Sequence, residues 1–564
     1  MSLLDWIVLI GFLSFVVIYG VWKTRGKKNI HDYLLANKTT PWYTVTLSIM
    51  ATQASAITFL STPGQAFVDG MRFVQFYLGL PIAMIILCIT AVPLFHKLNV
   101  YTAYEFLEQR FDLKNRTLGS VLFLIQRGLA AGFTIFAPSL VISVLMGWNI
   151  QITIFVIGTL VILYTTSGGT DAVNKTHLLQ MFIITSGMFT VFFLIINGLP
   201  KDISFMDATN IAGKMGKLNA ITFEFDWKDK YNFWSGLIGG TFLALSYFGT
   251  DQSQVQRYLS GKSIAQSRIG LLVNGIVKIP MQFSILFLGA MVFVFYQFVT
   301  PPLFFNSVET TNVKNSQYSE QYEELEEEFK ELHSNKQNQI RQMLEAQKLN
   351  DDKKFNRLAA EVNDTRSNEL KIRNEATRII KQANPAADTN DTNYIFLSFV
   401  INVLPAGLIG LILAAIFSAS MSSTAAELNA LASTTVVDIY KRMIKPTGSE
   451  KHYLVVSKLA TMFWGFYAIV FALFANRLGS LIEAVNILGS LFYGTILGIF
   501  LIAFYFKKIG GNATFYSALI AELVVLACFV FTEIPYLWFN VIGCVLLIIL
   551  ALILNPYFEN KVKA

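Results

Sequence analysis

Long apolar runs recur along this chain, with short polar segments between them. A hydrocarbon core about 30 Å thick requires roughly 20 apolar residues at 1.5 Å rise each. The pattern predicts about 13 transmembrane helices, and therefore an all-α polytopic membrane protein. The predicted spans are 4–22, 42–67, 73–97, 118–146, 149–166, 176–199, 233–255, 268–299, 394–435, 453–475, 480–506, 512–531 and 534–554.

One stretch interrupts this pattern. Residues 300–392 are rich in Glu, Lys, Gln and Leu and contain few helix breakers, which predicts a solvated helical segment or a helical hairpin. It separates residues 1–299, with the first eight predicted spans, from residues 393–564, with the last five. Two interpretations stay open for this insertion: a solvated segment with little mechanistic role, or a lid or partner surface.

Composition agrees with a membrane protein and excludes other classes. Hydrophobic residues make up 54% and charged residues 14% of the chain, against about 25% charged in soluble domains. The net charge of +7 does not indicate nucleic-acid binding, because the basic residues lie in short loops between apolar runs. The sequence contains no metal-ligand or phosphate-loop motif, so an enzyme is not indicated.

The basic loops also predict an orientation. They all fall on one side if the spans alternate, and this side is the cytoplasm by the positive-inside rule. The N-terminus is then outside, the C-terminus and the basic loops are cytoplasmic, and the insertion is extracytoplasmic. The expected location is a cell membrane, either a bacterial inner membrane or a plasma membrane. The basic residues are Lys23, Arg25, Lys27, Lys28, His96, Lys97, Arg110, Lys114, Arg116, Arg257, Lys262, Arg268, Lys441, Arg442, Lys445, Lys451, Lys507, Lys508, Lys561 and Lys563.

The second span is only weakly apolar. It reads SIMATQASAITFLSTPGQAF, with polar residues among alanines and a Pro63-Gly64 pair. Such a helix breaks within the membrane in many transporters and exposes carbonyl oxygens to a cavity. Close packing of small residues explains the same pattern equally well.

Two charged residues accompany the seventh and eighth spans. Asp251 follows Gly249-Thr250 and is either buried beside a cation or hydrated. Lys278 lies roughly ten residues into the eighth span, where it marks a functional site or extends along the helix to the cytoplasmic interface. The sequence leaves both alternatives open.

The ninth span carries hydroxyl groups in the segment SASMSSTAAELNALAS. Ser422 and Ser423 offer two hydroxyl oxygens. A monovalent cation prefers oxygen ligands, and carbonyls freed by a broken helix supply more of them. The alternative is again close packing of small residues.

Four segments, in this order, resemble one known family: YEFLEQRF at 104–111, SGG at 167–169, DQSQVQRYLSGKS at 251–263, and SASMSS with VVDIYKR within 418–442. They resemble the sodium/solute symporter family, which includes sodium–glucose, proline, monocarboxylate and multivitamin carriers. The resemblance covers the chain except for the insertion. It implies two inverted five-helix repeats of the leucine-transporter type, which begin at the second and seventh spans and follow one extra N-terminal helix.

The resemblance also implies site residues. For sodium (Na⁺) it implies the carbonyls of Ala51, Ala54 and Ala419 and the hydroxyls of Ser422 and Ser423. For the solute it implies Thr58, Tyr77, Tyr247, Lys278 and Asn486, with Gln75 as a further wall residue. Tyr77 stands where sugar carriers have a glutamate, and Ala244 where they have an asparagine, so two sugar ligands are missing.

The predicted function is sodium-coupled symport of a small organic solute across the membrane. A buried ammonium at Lys278 requires either an anionic solute or an acceptor in the protein, and of the candidate solutes an organic acid is favoured over a sugar. A transporter-like sensor without active transport is the alternative, and a membrane-embedded enzyme lacks a supporting motif.

A departure from the family predicts the stoichiometry. Members with a second sodium site use an aspartate and two hydroxyls, at positions that this chain fills with His177, Ala425 and Ala426. One sodium per solute is therefore expected. Asp171 and Glu427 are nearby in sequence, but Glu427 lies about 140° around the helix from Ser422 and is expected to point elsewhere.

Overall fold

The computed structural model describes residues 1–24, 40–98, 100–475 and 479–562, with the side chains of these residues except 16–17, 19–24, 167–179 and 559–562. This part of the chain is helical, with one isolated bridge between Thr40 and Gly261. The α-helices are Leu3–Thr24, Trp42–Gln53, Ala56–Asp69, Leu80–Ile89, Ala91–Leu98, Ala103–Arg110, Leu113–Met146, Ile150–Asn197, Phe205–Lys214, Gly240–Gly249, Gln252–Leu259, Ile264–Phe298, Ser307–Lys314, Ser319–Lys348, Asp352–Ala383, Thr392–Val403, Leu408–Thr434, Glu450–Ala472, Leu481–Tyr505, Gly511–Phe531 and Tyr536–Val562.

The predicted all-α membrane architecture is confirmed. Among the described residues, nine helical stretches are long and apolar enough to cross a membrane, and four more apolar helices are shorter. The predicted spans 149–166 and 176–199 belong to one continuous helical element, Ile150–Asn197. The predicted basic loop 23–28, the SGG segment at 167–169 and the C-terminal lysines lie outside the described side chains.

The predicted span 394–435 is wrong as a single element. It consists of a short helix, Thr392–Val403, and a long one, Leu408–Thr434, separated by residues 404–407. Pro405 removes a backbone donor there, and Gly407 has a φ of 88°, which favours glycine. Asp5 then accepts hydrogen bonds from the backbone N–H groups of Gly407 and Gly410, at 2.7 and 3.1 Å, and so caps the long helix.

The insertion forms a helical hairpin, as one of the sequence interpretations indicated. Its two long helices, Ser319–Lys348 and Asp352–Ala383, are called the hairpin below. They pack antiparallel, because Thr365 donates to Gln339 at 3.0 Å and His333 contacts Glu369 at 3.0 Å. One hydrophobic cluster, around Phe355, lies within the hairpin, a second around Phe329 is shared with flanking residues, and Ile340, Leu344 and Val362 of the hairpin join the main core.

Two of the family-like segments contact one another. Arg116, just after YEFLEQRF, donates to Glu108 at 2.7 Å and to Asp438 at 2.8 Å. Arg442 donates to the same Glu108 carboxylate at 2.8 Å. Charge-assisted hydrogen bonds of this kind fix the end of the helix that carries Ser422 and Ser423.

Candidate functional site

The second predicted span is broken, which agrees with one of the two interpretations of its sequence. One helix, Trp42–Gln53, ends at Gln53, and the next, Ala56–Asp69, begins at Ala56. These two segments are called the broken helix. The Thr58 hydroxyl donates to the Gln53 carbonyl at 3.2 Å and so satisfies one carbonyl at the break. In the described part of the chain, no backbone N–H donates to the carbonyl of Ala51 or of Ala54, so both oxygens are free to accept a ligand.

The serine helix, Leu408–Thr434, packs against both halves of the broken helix. Ser422 and Ser423 belong to the serine helix, and both side chains are buried. The Ser422 hydroxyl has no hydrogen-bond partner among the described residues. The Ser423 hydroxyl lies 3.1 Å from the carbonyls of Ala419 and Ser420 and donates toward them, which leaves its oxygen lone pairs unused. A buried hydroxyl without a partner is uncommon, and a cation is one group that would satisfy it.

An enclosed cavity of about 120 Å³ lies beside this break. Five of the six predicted solute residues line it: Thr58, Tyr77, Tyr247, Lys278 and Asn486. The sixth does not. Gln75 forms hydrogen bonds with a loop instead. Its amide nitrogen donates to the Tyr231 carbonyl at 2.8 Å, and its amide oxygen accepts from the backbone N–H of Thr222 at 2.9 Å.

Lys278 does not extend toward the cytoplasmic interface. Its side chain is 2% exposed and lines the cavity. Among the described residues, no oxygen lies within hydrogen-bond distance of its Nζ, and its contact is with the Tyr77 ring, whose centre is 5.8 Å away. An ammonium group in this setting lacks the acceptor that would offset its dehydration.

A buried guanidinium that the sequence interpretation overlooked also lines the cavity. Arg127, on Leu113–Met146, pairs with Asp251 and with Glu427, the latter at 3.1 Å. It also donates to the Tyr493 hydroxyl at 2.6 Å, and Tyr493 donates to Asp251 at 2.8 Å. Asp251 is therefore buried beside a cation, which decides between the two alternatives for that residue.

Glu427 lies on the same helix as Ser422 but faces the cavity, which Ser422 does not line. It lines the cavity, and its second oxygen accepts from the Thr134 hydroxyl at 3.0 Å. Ala425, by contrast, packs in an apolar cluster with Tyr164. The signal for Arg127 was present in the sequence, because Gln126-Arg127 interrupts the apolar run 118–146, and an ionisable group at membrane depth marks a functional site by default.

Comparison with known proteins decides the family. The family model described as the sodium:solute symporter family matches residues 33–319 and 376–521. The chain belongs to the sodium:solute symporter family. It is a sodium-coupled symporter of a small solute, and Na⁺ is the coupled ion. The family's fold, expected from the sequence, is confirmed by a solved sodium-coupled sialic acid symporter, which has 22% sequence identity and a TM-score of 0.73 over 99% of this chain and 98% of its own.

Two curated relatives illustrate the range of solutes. The sodium/sialic acid symporter NanT of Aliivibrio fischeri is 25% identical over 100% of this chain and 94% of its own length. The human sodium-coupled monocarboxylate transporter 1 is 32% identical, over 48% of this chain and 44% of its own. Multi-pass membrane insertion follows from the family. The hairpin residues 320–375 fall outside the family match.

Proposed function

We propose that this symporter moves one sodium ion together with one small organic anion. Sodium is held by the carbonyls of Ala51, Ala54 and Ala419 and by the hydroxyls of Ser422 and Ser423. The solute carboxylate pairs with Lys278. The observation that carries the proposal is the buried Lys278 ammonium without an acceptor in a cavity beside the broken helix.

Burial energetics support an anionic solute. A dehydrated ammonium without a partner is unfavourable by several kcal/mol, and a carboxylate removes that cost on binding. A neutral sugar does not remove that cost. In addition, two residues that bind the sugar in sugar carriers of the family are replaced here by Tyr77 and Ala244. An acidic sugar and a monocarboxylate, the solutes named for the relatives, both carry the required group.

The orientation belongs to the same proposal. The N-terminus and the hairpin lie outside the cell, and the basic loops and the C-terminus lie in the cytoplasm. Solute and sodium then enter from the side that carries the hairpin. Tyr247 lines the floor of the cavity toward Gln254, whose amide donates to its hydroxyl at 2.7 Å, and acts as an inner gate residue.

Replacing Lys278 by methionine is expected to raise the KM for an anionic solute by about 10- to 100-fold, since a charge-assisted hydrogen bond contributes about 1.5–3 kcal/mol. The KM of a neutral amide analogue should stay the same or fall. Initial uptake rates in proteoliposomes measure both. The matched control is Lys458→Met, which removes a half-buried lysine of Glu450–Ala472 that does not line the cavity. Normal uptake of the anion by Lys278→Met would contradict the assignment.

The proposed stoichiometry has an electrical consequence. One sodium with a monovalent anion moves no net charge, so a tenfold sodium gradient alone sets an accumulation limit of about tenfold. A neutral solute would gain a further ~2.3 kcal/mol from a 100 mV potential, for about 500-fold in total. A potassium diffusion potential, inside negative, should therefore leave steady-state accumulation of the anion unchanged. A large increase would show that a second cation moves, and that the substitutions at Ala425 and Ala426 have been misinterpreted.

A further inference from the structure

A second cavity lies between the hairpin and the rest of the transporter. Its volume is about 500 Å³, within the range of small-molecule sites, roughly 300–1,000 Å³. The transporter body contributes Lys217 and Phe293 to the wall, and the hairpin contributes Arg366 and Glu369. Because residues 320–375 fall outside the family match, the sodium and solute sites of the family do not account for this wall.

The wall of this cavity carries four cationic and two anionic side chains. Lys336 pairs with Glu369, and Arg373 pairs with Asp391 at 2.8 Å. The other two cations, Lys217 and Arg366, form no ion pair among the described residues, although the Asp69 carboxylate, outside the cavity wall, lies near Lys217. The lining charges are Lys217, Lys336, Arg366, Arg373, Glu369 and Asp391.

Both of these cations lie against the same aromatic ring. The Lys217 Nζ lies 4.6 Å and the Arg366 Cζ lies 5.7 Å from the centre of the Phe293 ring. Lys217 is 3% exposed, and its ammonium donates to the Val68 carbonyl, which leaves further N–H groups without an acceptor. The charges of the buried Lys217 and the partly buried Arg366 repel each other, and an anion near both groups removes this repulsion.

We propose that this cavity is an anion-binding site, which takes a small molecule with a carboxylate, sulfate or phosphate group between Lys217 and Arg366. The anion is either the transported solute before it reaches the inner cavity or a separate anion that stabilises the contact between hairpin and transporter. The site does not depend on Lys278 or on the sodium ligands.

The titration behaviour of Lys217 agrees with this geometry. Burial, together with the nearby Arg366 charge, lowers the pKa of Lys217 to about 7, although Asp69 raises it. Without an anion, the ammonium loses its proton as the pH rises through 7. Anion binding favours the charged form, so affinity is greatest below pH 7 and weakens above it. Arg366 and Asp69 are the charged groups that act on Lys217, and the cavity wall also carries the ion pairs Lys336–Glu369 and Arg373–Asp391.

The test uses the full chain in nanodiscs, with sulfate as the probe and ionic strength held constant with chloride. Sulfate should raise the melting temperature saturably at pH 6, with a weaker apparent affinity at pH 8.5. Lys217→Met and Arg366→Gln should each increase the half-saturating concentration about tenfold or more, and Lys217→Met should also remove the pH dependence. Arg357→Gln, which removes an exposed hairpin arginine, is the matched control and should behave as the unmodified protein.

A second arm identifies the source of the anion. In the Lys278→Met background, binding of radiolabelled sialic acid or lactate that is lost with Arg366→Gln would identify the solute as the ligand. Saturable binding of sulfate or phosphate alone would identify a separate anion. The proposal is overturned if sulfate produces no saturable stabilisation, or if Arg366→Gln and Arg357→Gln respond to it alike. Sodium-driven uptake, measured in parallel, tests the transport proposal separately.

Discussion

Replacing Arg127 by glutamine is expected to destabilise the folded transporter by about 3–5 kcal/mol, the effect of removing one partner from a buried ion pair. The change leaves Asp251 and Glu427 buried without their cation. It also removes the shorter of two hydrogen bonds donated to the Tyr493 hydroxyl, the other coming from the Gln126 amide at 3.3 Å. The expected result is a large loss of monodisperse protein after extraction in detergent, and a lower melting temperature in what remains.

A variant in which all three charged groups of the network are neutral separates this mechanism from a general packing defect. Arg127→Met combined with Asp251→Asn and Glu427→Gln removes one cation and two carboxylates together. Most of the lost stability should return, because neutral groups in the same positions avoid the unpaired charge. Arg357→Gln on the hairpin serves as the control for loss of an exposed arginine. If Arg127→Gln is as stable as that control, the network does not have the energetic role assigned to it.

Removal of both hydroxyls at Ser422 and Ser423 is expected to abolish sodium-driven uptake. Two oxygen ligands to a charged group contribute about 3–6 kcal/mol together, so sodium affinity should fall by about 100-fold or more. Alanine suits a buried helix contact as well as serine does, and the protein should stay folded. The measurement is sodium-dependent thermal stabilisation together with uptake in proteoliposomes.

The serine helix supplies a matched control for this double variant. Ser433 and Thr434 are also buried on it, and neither hydroxyl has a partner among the described residues. Ser433→Ala with Thr434→Val removes the same number of buried hydroxyls from the same element. This control should keep its response to sodium. An equal loss in both double variants would indicate a packing effect and not a sodium site.

The sequence predicted the broken helix but not the position of its break. The residue pattern names no position for the break, whereas the helix ends at Gln53 and resumes at Ala56, beside the alanines that the family resemblance implies. Pro63 and Gly64 serve packing instead. A Cβ at Gly64 would lie 2.0 Å from the carbonyl of Thr392, so glycine permits the short helix Thr392–Val403 to approach. Such a contact joins residues far apart in the chain, which a local pattern does not reveal.

Long-range contacts also explain the errors at individual site residues. Gln75, expected in the cavity wall, is outside it because its amide forms hydrogen bonds with backbone groups of residues 222 and 231. Arg127 was overlooked although an arginine in an apolar run is a strong signal. The sequence indicates Lys278 as a candidate solute-binding residue, but only the structure shows that it lines a cavity and does not extend to the interface.

The most direct test of the account is uptake of a labelled carboxylate solute into proteoliposomes, with and without an inward sodium gradient. Sialic acid and lactate represent the acidic sugars and the monocarboxylates. The account predicts that at least one small organic anion accumulates above equilibrium only when the sodium gradient is present, and that accumulation disappears in the Ser422→Ala/Ser423→Ala variant. Accumulation of the same extent when potassium replaces sodium, in the unmodified protein, would contradict it.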